Sequence, residues 1–238
     1  MKKVLVTLIC LSSLSAQSQS SKWFVSLSPG FQFGGPLVSV KKQVAAQGFN
    51  GSKSVDFFGT EFNSQFPQVE KGASFLVRVG KRINTYKSIY FTGGIASSGH
   101  ITGFKPDGTY SNYILFGGNG GEWMVFKYKI LQFGAGYEYS FPRSHIKLGV
   151  SPSIYLLHYS ITPNLDQYDY KTSIVPGISG MVRLPLGKEK HLVGVDLIGE
   201  AGIAPPAKMS AGKESSFQPG SANMIHATVG LALSFRKS

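Results

Sequence analysis

The 238-residue chain has one cysteine, Cys10, and it falls in the opening segment, so the rest of the chain has no thiol to form a disulfide or hold a metal. Charge is also sparse. Charged residues make up 15% of the sequence, with 12 acids against 24 lysines and arginines. After the first 20 residues no apolar run approaches the ~18 residues a membrane helix needs, and no stretch carries a convincing helical period. Histidines 100, 145, 191 and 226 are scattered without metal-ligand spacing. These absences exclude a disulfide scaffold, a helical membrane protein and a zinc site.

What is present begins with MKKVLVTLICLSSLSAQSQS. Two lysines, an apolar run from Val4 to Leu14 and a small-residue tail read as a secretory signal peptide over residues 1–20, with cleavage after Ala16, Ser18 or Ser20 left open. Cys10 is a poor lipidation site because Ile9 precedes it after a short apolar run. Removing Lys2 and Lys3 lowers the formal charge from +12 to +10. The bases are scattered among glycines and aromatics, and the chain is exported, so nucleic acid is not an expected partner. Attraction to anionic lipid or lipopolysaccharide phosphates and plain solubility both remain open.

Residues 21–238 read as one domain of eight period-two segments. They are KWFVSLSPGFQF, ASFLVRVGKRI, SIYFTGGIAS, LQFGAGYEYSF, IKLGVSPSIYL, SIVPGISGMVRL, VGVDLIGEAG and the terminal HATVGLALSF. The connections alternate between short and long. Short turns fall near Asn84-Thr85, at SFPRS and at PLGKEK. Long connections cover 34–72, 98–122, 162–172 and 203–221, with a turn expected at Pro106-Asp107-Gly108. An up-and-down antiparallel sheet puts all the short turns at one end. In a membrane barrel that end is periplasmic.

Each segment has one bulky apolar face and one face of small or polar residues. The terminal segment sets Ala227, Val229, Leu231, Leu233 and Phe235 against His226, Thr228, Gly230, Ala232 and Ser234. Period alone leaves open which face is inside, and a soluble lipocalin-like carrier has the same period with its apolar face inward. Three features point the apolar face outward. Small residues suit the crowded lumen of an eight-stranded barrel. The same face carries Arg78, Arg82, Lys147, Arg183 and Arg236 against Glu138, Asp196 and Glu200, a set able to pair in a closed lumen. Trp23, Tyr137, Tyr139, Phe141 and Phe235 gather at the short-turn end as an interfacial girdle. A strand edge open to lipid leaves backbone groups unpaired, so such strands must close into a ring.

Thr228, Gly230, Leu233 and Phe235 match the terminal-strand signal read by the bacterial outer-membrane assembly machinery, although the chain continues to Arg236-Lys237-Ser238 past the aromatic. The mature chain as a whole resembles the outer-membrane β-barrel proteins of Bacteroidota, PorT-like proteins among them. It is architecturally similar to the small OmpA- and OmpX-type barrels. The resemblance implies Gram-negative export, insertion by the barrel-assembly machinery and an integral outer-membrane location in contact with lipopolysaccharide. It implies no catalytic activity.

One chemical pairing stands out. His158 and Ser160 share a strand face, by parity the lipid-facing one, and resemble the His-x-Ser pair of PagL-type lipid A deacylases. A third, acidic group is needed to orient the base, and Asp166 and Asp169 are the nearby candidates, though neither fits that family's spacing. Lys127 and Lys129, just beyond the membrane-crossing part of their strand, are candidates for lipopolysaccharide phosphates. FGGNGGE and LGKEK lack a phosphate-binding pattern and read as turns, so no cofactor is expected. The expected function is structural or interactive, through long outer loops and especially 34–72. A lumen filled by side chains makes a poor pore. The alternatives are a lipid A hydrolase and a soluble carrier.

Overall fold

A computed structural model describes residues 23–55, 61–106, 121–163, 170–187, 193–210 and 217–236. The elements in chain order are β1 (Trp23–Gly34), α1 (Pro36–Ala46), β2 (Ser52–Val55), β3 (Glu61–Gln65), β4 (Gln68–Lys71), β5 (Ala73–Arg82) and β6 (Lys87–Pro106). They continue with β7 (Gly121–Ser140), β8 (Lys147–Pro163), β9 (Tyr170–Pro185), β10 (Val193–Ile203), β11 (Ala207–Lys208), β12 (Ser221–Ala222) and β13 (His226–Arg236).

Eight strands close a ring in the order β1, β5, β6, β7, β8, β9, β10, β13, with β13 returning to β1. Every pairing is antiparallel. Closure gives each strand a paired neighbour on both sides within the ring, so the ring itself has no edge. The protein is thus an all-β, eight-stranded, antiparallel up-and-down barrel. All eight period-two segments are strands of this ring.

The bulky apolar rows face out. Phe31, Phe91, Phe133, Ile154, Ile174, Val195 and Leu231 are all exposed, Phe31 by 78% and Phe91 by 69%. From Trp23 to Phe33 is ten residue steps, about 33 Å along the strand at about 3.3 Å per residue, or about 25 Å of height at a tilt of about 40°. That matches the apolar band of a membrane barrel, about 25 Å tall. The inward face is packed by pairing small residues with large ones. A β-carbon at Gly136 would lie 2.4 Å from the Tyr90 ring, and one at Gly80 would lie 2.5 Å from the Phe24 ring and from the Ile89 carbonyl. The glycines of the inward face leave the volume that these rings fill.

The long connection expected over 98–122 is shorter than that at both ends. β6 reaches Pro106 and β7 begins at Gly121, so 98–106 and 121–130 are strand. β6 and β7 each have 20 residues against 11 in β10 and β13. One side of the barrel therefore stands taller than the other by about nine residues, about 30 Å along the strand. The extension passes a β-bulge. Register shifts between Ile95 and Ser97, so Ala96 is the extra residue and side-chain parity reverses beyond it. Just before the bulge, Gly94 has φ +145°, and a β-carbon there would meet the Phe75 carbonyl at 2.2 Å, so only glycine suits this bend. The turn expected at Pro106-Asp107-Gly108 runs beyond the described residues.

The 34–72 connection holds the helix α1, which the sequence reading did not anticipate. Pro36 opens it, where a missing N–H costs nothing. Leu37, Val40 and Val44, at helical spacing, bury one face. They pack with Phe49, Phe217 and Met224 against Phe126, Ile130 and Leu157 on the inner side of the tall wall. On the polar face, Gln43 Nε2 donates to the Ser221 carbonyl at 2.8 Å, and Gln47 Nε2 donates to that of Gln218 at 2.8 Å. Residues 218–221 are thereby tied across the helix, and a packed apolar head sits at the long-loop end of the barrel.

Gly136→Val is expected to destabilise the barrel by about 1–3 kcal/mol through overpacking against Tyr90. Adding Tyr90→Ala is expected to recover part of the loss. Urea titration of the two variants, followed by tryptophan fluorescence, measures both effects.

Candidate functional site

The inward residues form layers that alternate in character. Reading up β10 from the short-turn end gives Asp196, Ile198 and Glu200; reading up β9 gives Arg183, Met181 and Ser179. The lower ionic layer centres on Arg183. Its guanidinium donates to Asp196 and Ser234, and through Nη1 to Glu138 at 3.3 Å. Lys147 is buried beside it in the strand register. Above lies an apolar layer of Phe24, Tyr90, Met181, Ile198 and Ala232. Above that, Arg78 pairs with Glu200 and donates to Ser28 Oγ at 2.9 Å. Gln132 Nε2 completes this layer, donating to Glu200 at 3.0 Å and to Ser179 Oγ at 3.1 Å.

Arg78 is 1% exposed and Arg183 is 2% exposed. The charged side chains fully buried among the described residues are three cations (Arg78, Lys147, Arg183) and three carboxylates (Glu138, Asp196, Glu200), so this buried set is formally neutral. Charges cut off from water must be paired in this way, because an unpaired ion in a low dielectric costs several kcal/mol. Arg82, by contrast, is only half-buried at the short-turn rim, opposite Ser88. It sits in the last inward row of its strand, at the short-turn end of the ring. The backbone of Arg236 pairs with Phe24 at the same end, and its side chain lies outside the described residues.

At that end Trp23, Tyr137, Phe141 and Phe235 are exposed and Tyr139 is half-buried. The Tyr139 and Phe141 rings meet edge to face at 5.1 Å, and Lys81 Nζ lies 6.0 Å from the Trp23 ring. On β13, Thr228 and Gly230 face inward while Leu233 and Phe235 face outward. A β-carbon at Gly230 would lie 2.1 Å from the Pro29 carbonyl.

His158 and Ser160 share the outward parity of β8 but do not form a nucleophile–base pair. His158 Nδ1 lies 3.1 Å from Thr172 Oγ1, and its ring stacks on Tyr170 at 4.8 Å. Ser160 is fully buried and its hydroxyl has no hydrogen-bond partner. The expectation of a lipid-exposed serine is corrected here. Ser160 lies in register between Lys127 of β7 and Tyr170 of β9 in the extended wall. Asp166 and Asp169 lie outside the described residues.

Near these residues, on the outer surface, is a groove of about 290 Å³. Glu70, Lys71, His100, Lys127, Lys129, His158 and Tyr170 are among the residues that line it. Sequence reasoning reached Lys127, Lys129 and His158. It did not bring in Lys71, His100 or Tyr170, because the β-bulge and the pairing of β4 with β6 decide their positions.

A closed ring with apolar rows outside and neutralised charge inside defines the class, an eight-stranded transmembrane β-barrel. No family model and no curated protein sequence matches the chain. Among solved structures it is similar to Neisserial surface protein A, at 12% identity and a TM-score of 0.43 over 91% of this chain and 98% of that one. It is also similar to Ail, the attachment invasion locus protein of Yersinia pestis, solved with the heparin analogue sucrose octasulfate, at 9% identity and a TM-score of 0.40 over 90% and 99%. A third likeness is to the outer membrane protein AlkL in DMPC bilayers, at 14% identity and a TM-score of 0.39 over 94% and 95%.

Glu200→Ala is expected to destabilise the barrel by about 3–5 kcal/mol, because it leaves the Arg78 guanidinium buried without its counter-ion. Glu200→Ala combined with Arg78→Met is expected to cost less than Glu200→Ala alone. Urea unfolding of the two variants in lipid vesicles measures the difference.

Proposed function

We propose that this chain is an integral outer-membrane β-barrel of a Gram-negative bacterium, with a structural or surface-interaction role carried by its long-loop head. The observation that carries this reading is the inversion of the barrel, with large apolar side chains exposed around the ring while arginines and carboxylates are enclosed within it. Water does not tolerate such an exterior as a monomer surface, since contiguous exposed patches on soluble proteins rarely exceed a few hundred Å². Hydrocarbon does. A lipocalin-like carrier requires the opposite orientation. The aromatic girdle and the terminal signal of Thr228, Gly230, Leu233 and Phe235 support insertion by the assembly machinery with the short turns in the periplasm.

Two ionic layers and an apolar layer fill the lumen, and α1 with the 217–224 segment covers its upper end. This supports a plugged barrel rather than a channel. The interacting surface is then the outside of the head and the tall wall of β6–β9, to which an extracellular protein or ligand has access.

The purified chain is expected to insert into vesicles, to run faster on gels unheated than boiled, and to give no steady conductance in planar bilayers. A chain released into the soluble fraction, or a stable ohmic current, would overturn the reading. Phe235→Ala is expected to lower the amount assembled in the outer membrane in cells several-fold, measured as the fraction of unheated compact band.

A further inference from the structure

On four adjacent strands the outward face changes chemistry at one level. Along β7 the series Phe133, Leu131 gives way to Lys129 and Lys127. Along β8, Ile154 and Leu156 give way to His158. Along β9, Ile174 gives way to Thr172 and Tyr170. On β6 the change comes at the bulge, where Ile95 is followed on the outer face by Ser98 and His100. These residues are brought side by side by register, Lys129 opposite His158 and Ser98, and Lys127 opposite His100 and Ser160. β4 adds Lys71, whose Nζ lies 5.8 Å from the exposed Phe33 ring at the top of the apolar band.

These residues line the groove of about 290 Å³, and the register sets its lysines directly above the apolar rows. Its acid is Glu70, whose carboxylate is 3.4 Å from His100 Nε2 and so engaged within the groove. The fully buried Ser160 hydroxyl, which lacks a partner, lies on the same outward face between Lys127 and Tyr170. A ligand suited to this arrangement carries negative charge with several acceptor oxygens at the level of the lysines. It also carries hydrocarbon that runs down Phe133, Ile154, Leu156 and Ile174. A free anion uses only the first half of the surface, and a neutral lipid only the second.

We infer that the groove formed by Lys71, His100, Lys127, Lys129 and Tyr170 holds the phosphorylated headgroup of a glycolipid in the leaflet at the long-loop end. Its acyl chains lie on the apolar rows below. This rests on the membrane reading given above, and it assigns the lipid one side of the barrel rather than the whole circumference. Lys127 and Lys129 supply charge-assisted donors to phosphate oxygens, and the stacked His158–Tyr170 pair forms a flat wall beside them.

The test uses the full mature chain in detergent, with native mass spectrometry reading the lipid retained. The probes are lipid A bearing its phosphates, the same lipid A after phosphatase treatment, and inorganic phosphate alone. Phosphorylated lipid A is expected to be retained on the order of tenfold more strongly than the dephosphorylated form, since a lysine near an anionic headgroup is worth about 1 kcal/mol. K127Q/K129Q is expected to abolish the preference, while K41Q/K42Q, which removes the same charge from α1, is expected to leave it intact. Lys129→Glu serves as a second variant if the double substitution lowers the compact gel band. Equal retention of the two lipid forms, an equal effect of the α1 control, or binding of inorganic phosphate as tight as that of lipid A would each overturn the site. Failure of the unaltered chain to insert into vesicles would sink the membrane reading itself, whereas insertion without a phosphate preference sinks only this site.

Discussion

A guanidinium enclosed in a ring of eight strands has no water to turn to, and much of the structure follows from that. Arg78 and Arg183 are the largest side chains fully withdrawn from solvent, and each has a carboxylate from a different strand. Arg78 joins β5 to β10, on opposite sides of β1 and β13. Arg183 on β9 reaches Glu138 of β7 and Asp196 of β10. Such pairs contribute little net stability compared with an apolar filling of the same shape. They do impose a register. A one-residue slip of any one of these strands would move its charge to the outside face and leave its partner alone inside.

That penalty works together with the demand from outside. The outer rows are acceptable only in hydrocarbon, and the inner rows only when paired. The two conditions are met by the same alternation along each strand. The interior also has to be full, and rings from one strand occupy the space that glycines leave on the next, as Tyr90 does over Gly136. The abundance of glycine in these strands, costly for isolated strand formation, is thus the counterpart of the lumen's few large side chains.

The eight strands, their faces and the alternation of short and long connections were legible because period two is a local property. What was not legible depends on events a single strand does not reveal. The bulge at Ala96 reverses parity in mid-strand, so an alternation followed from Ile89 breaks there, and 98–106 looks irregular although it is paired throughout. The extension of β7 across 121–130 reads poorly for a different reason. Its inner face, Met124, Phe126, Tyr128 and Ile130, packs against a head core, while the other face mixes Lys127 and Lys129 with the apolar Trp123 and Val125, so the alternation of apolar and polar residues breaks above Lys127. The helix had the weakest signature of all. Leu37, Val40 and Val44 have helical spacing, but β-branched residues and a Lys-Lys pair obscure it, and tertiary packing decides the outcome. His158 and Ser160 show the limit from the other side. Parity placed them on one face, yet it carried no information on whether their polar atoms meet, and Thr172 and Tyr170 take the histidine instead.

The tall wall unites these features. A barrel that only had to cross a bilayer could stop all its strands near the ends of β1 and β13. Here β6–β9 continue beyond, and the added length has two unlike faces. The inner one holds α1 and the 217–224 segment in a soluble-type core, which needs no lipid and no lumen charge. The outer one begins as a continuation of the apolar rows and turns basic within two residues, at Lys129 and His158. Extending the strands therefore accomplishes two things with one backbone. It packs a core over the lumen from within, and it raises lysines on paired strands rather than loops, directly above the exposed apolar rows. Side chains held on paired strands lose less freedom on meeting a ligand than the same residues on a loop. With the described interior filled, the outer face of this wall and the surface of the head are the surfaces left exposed.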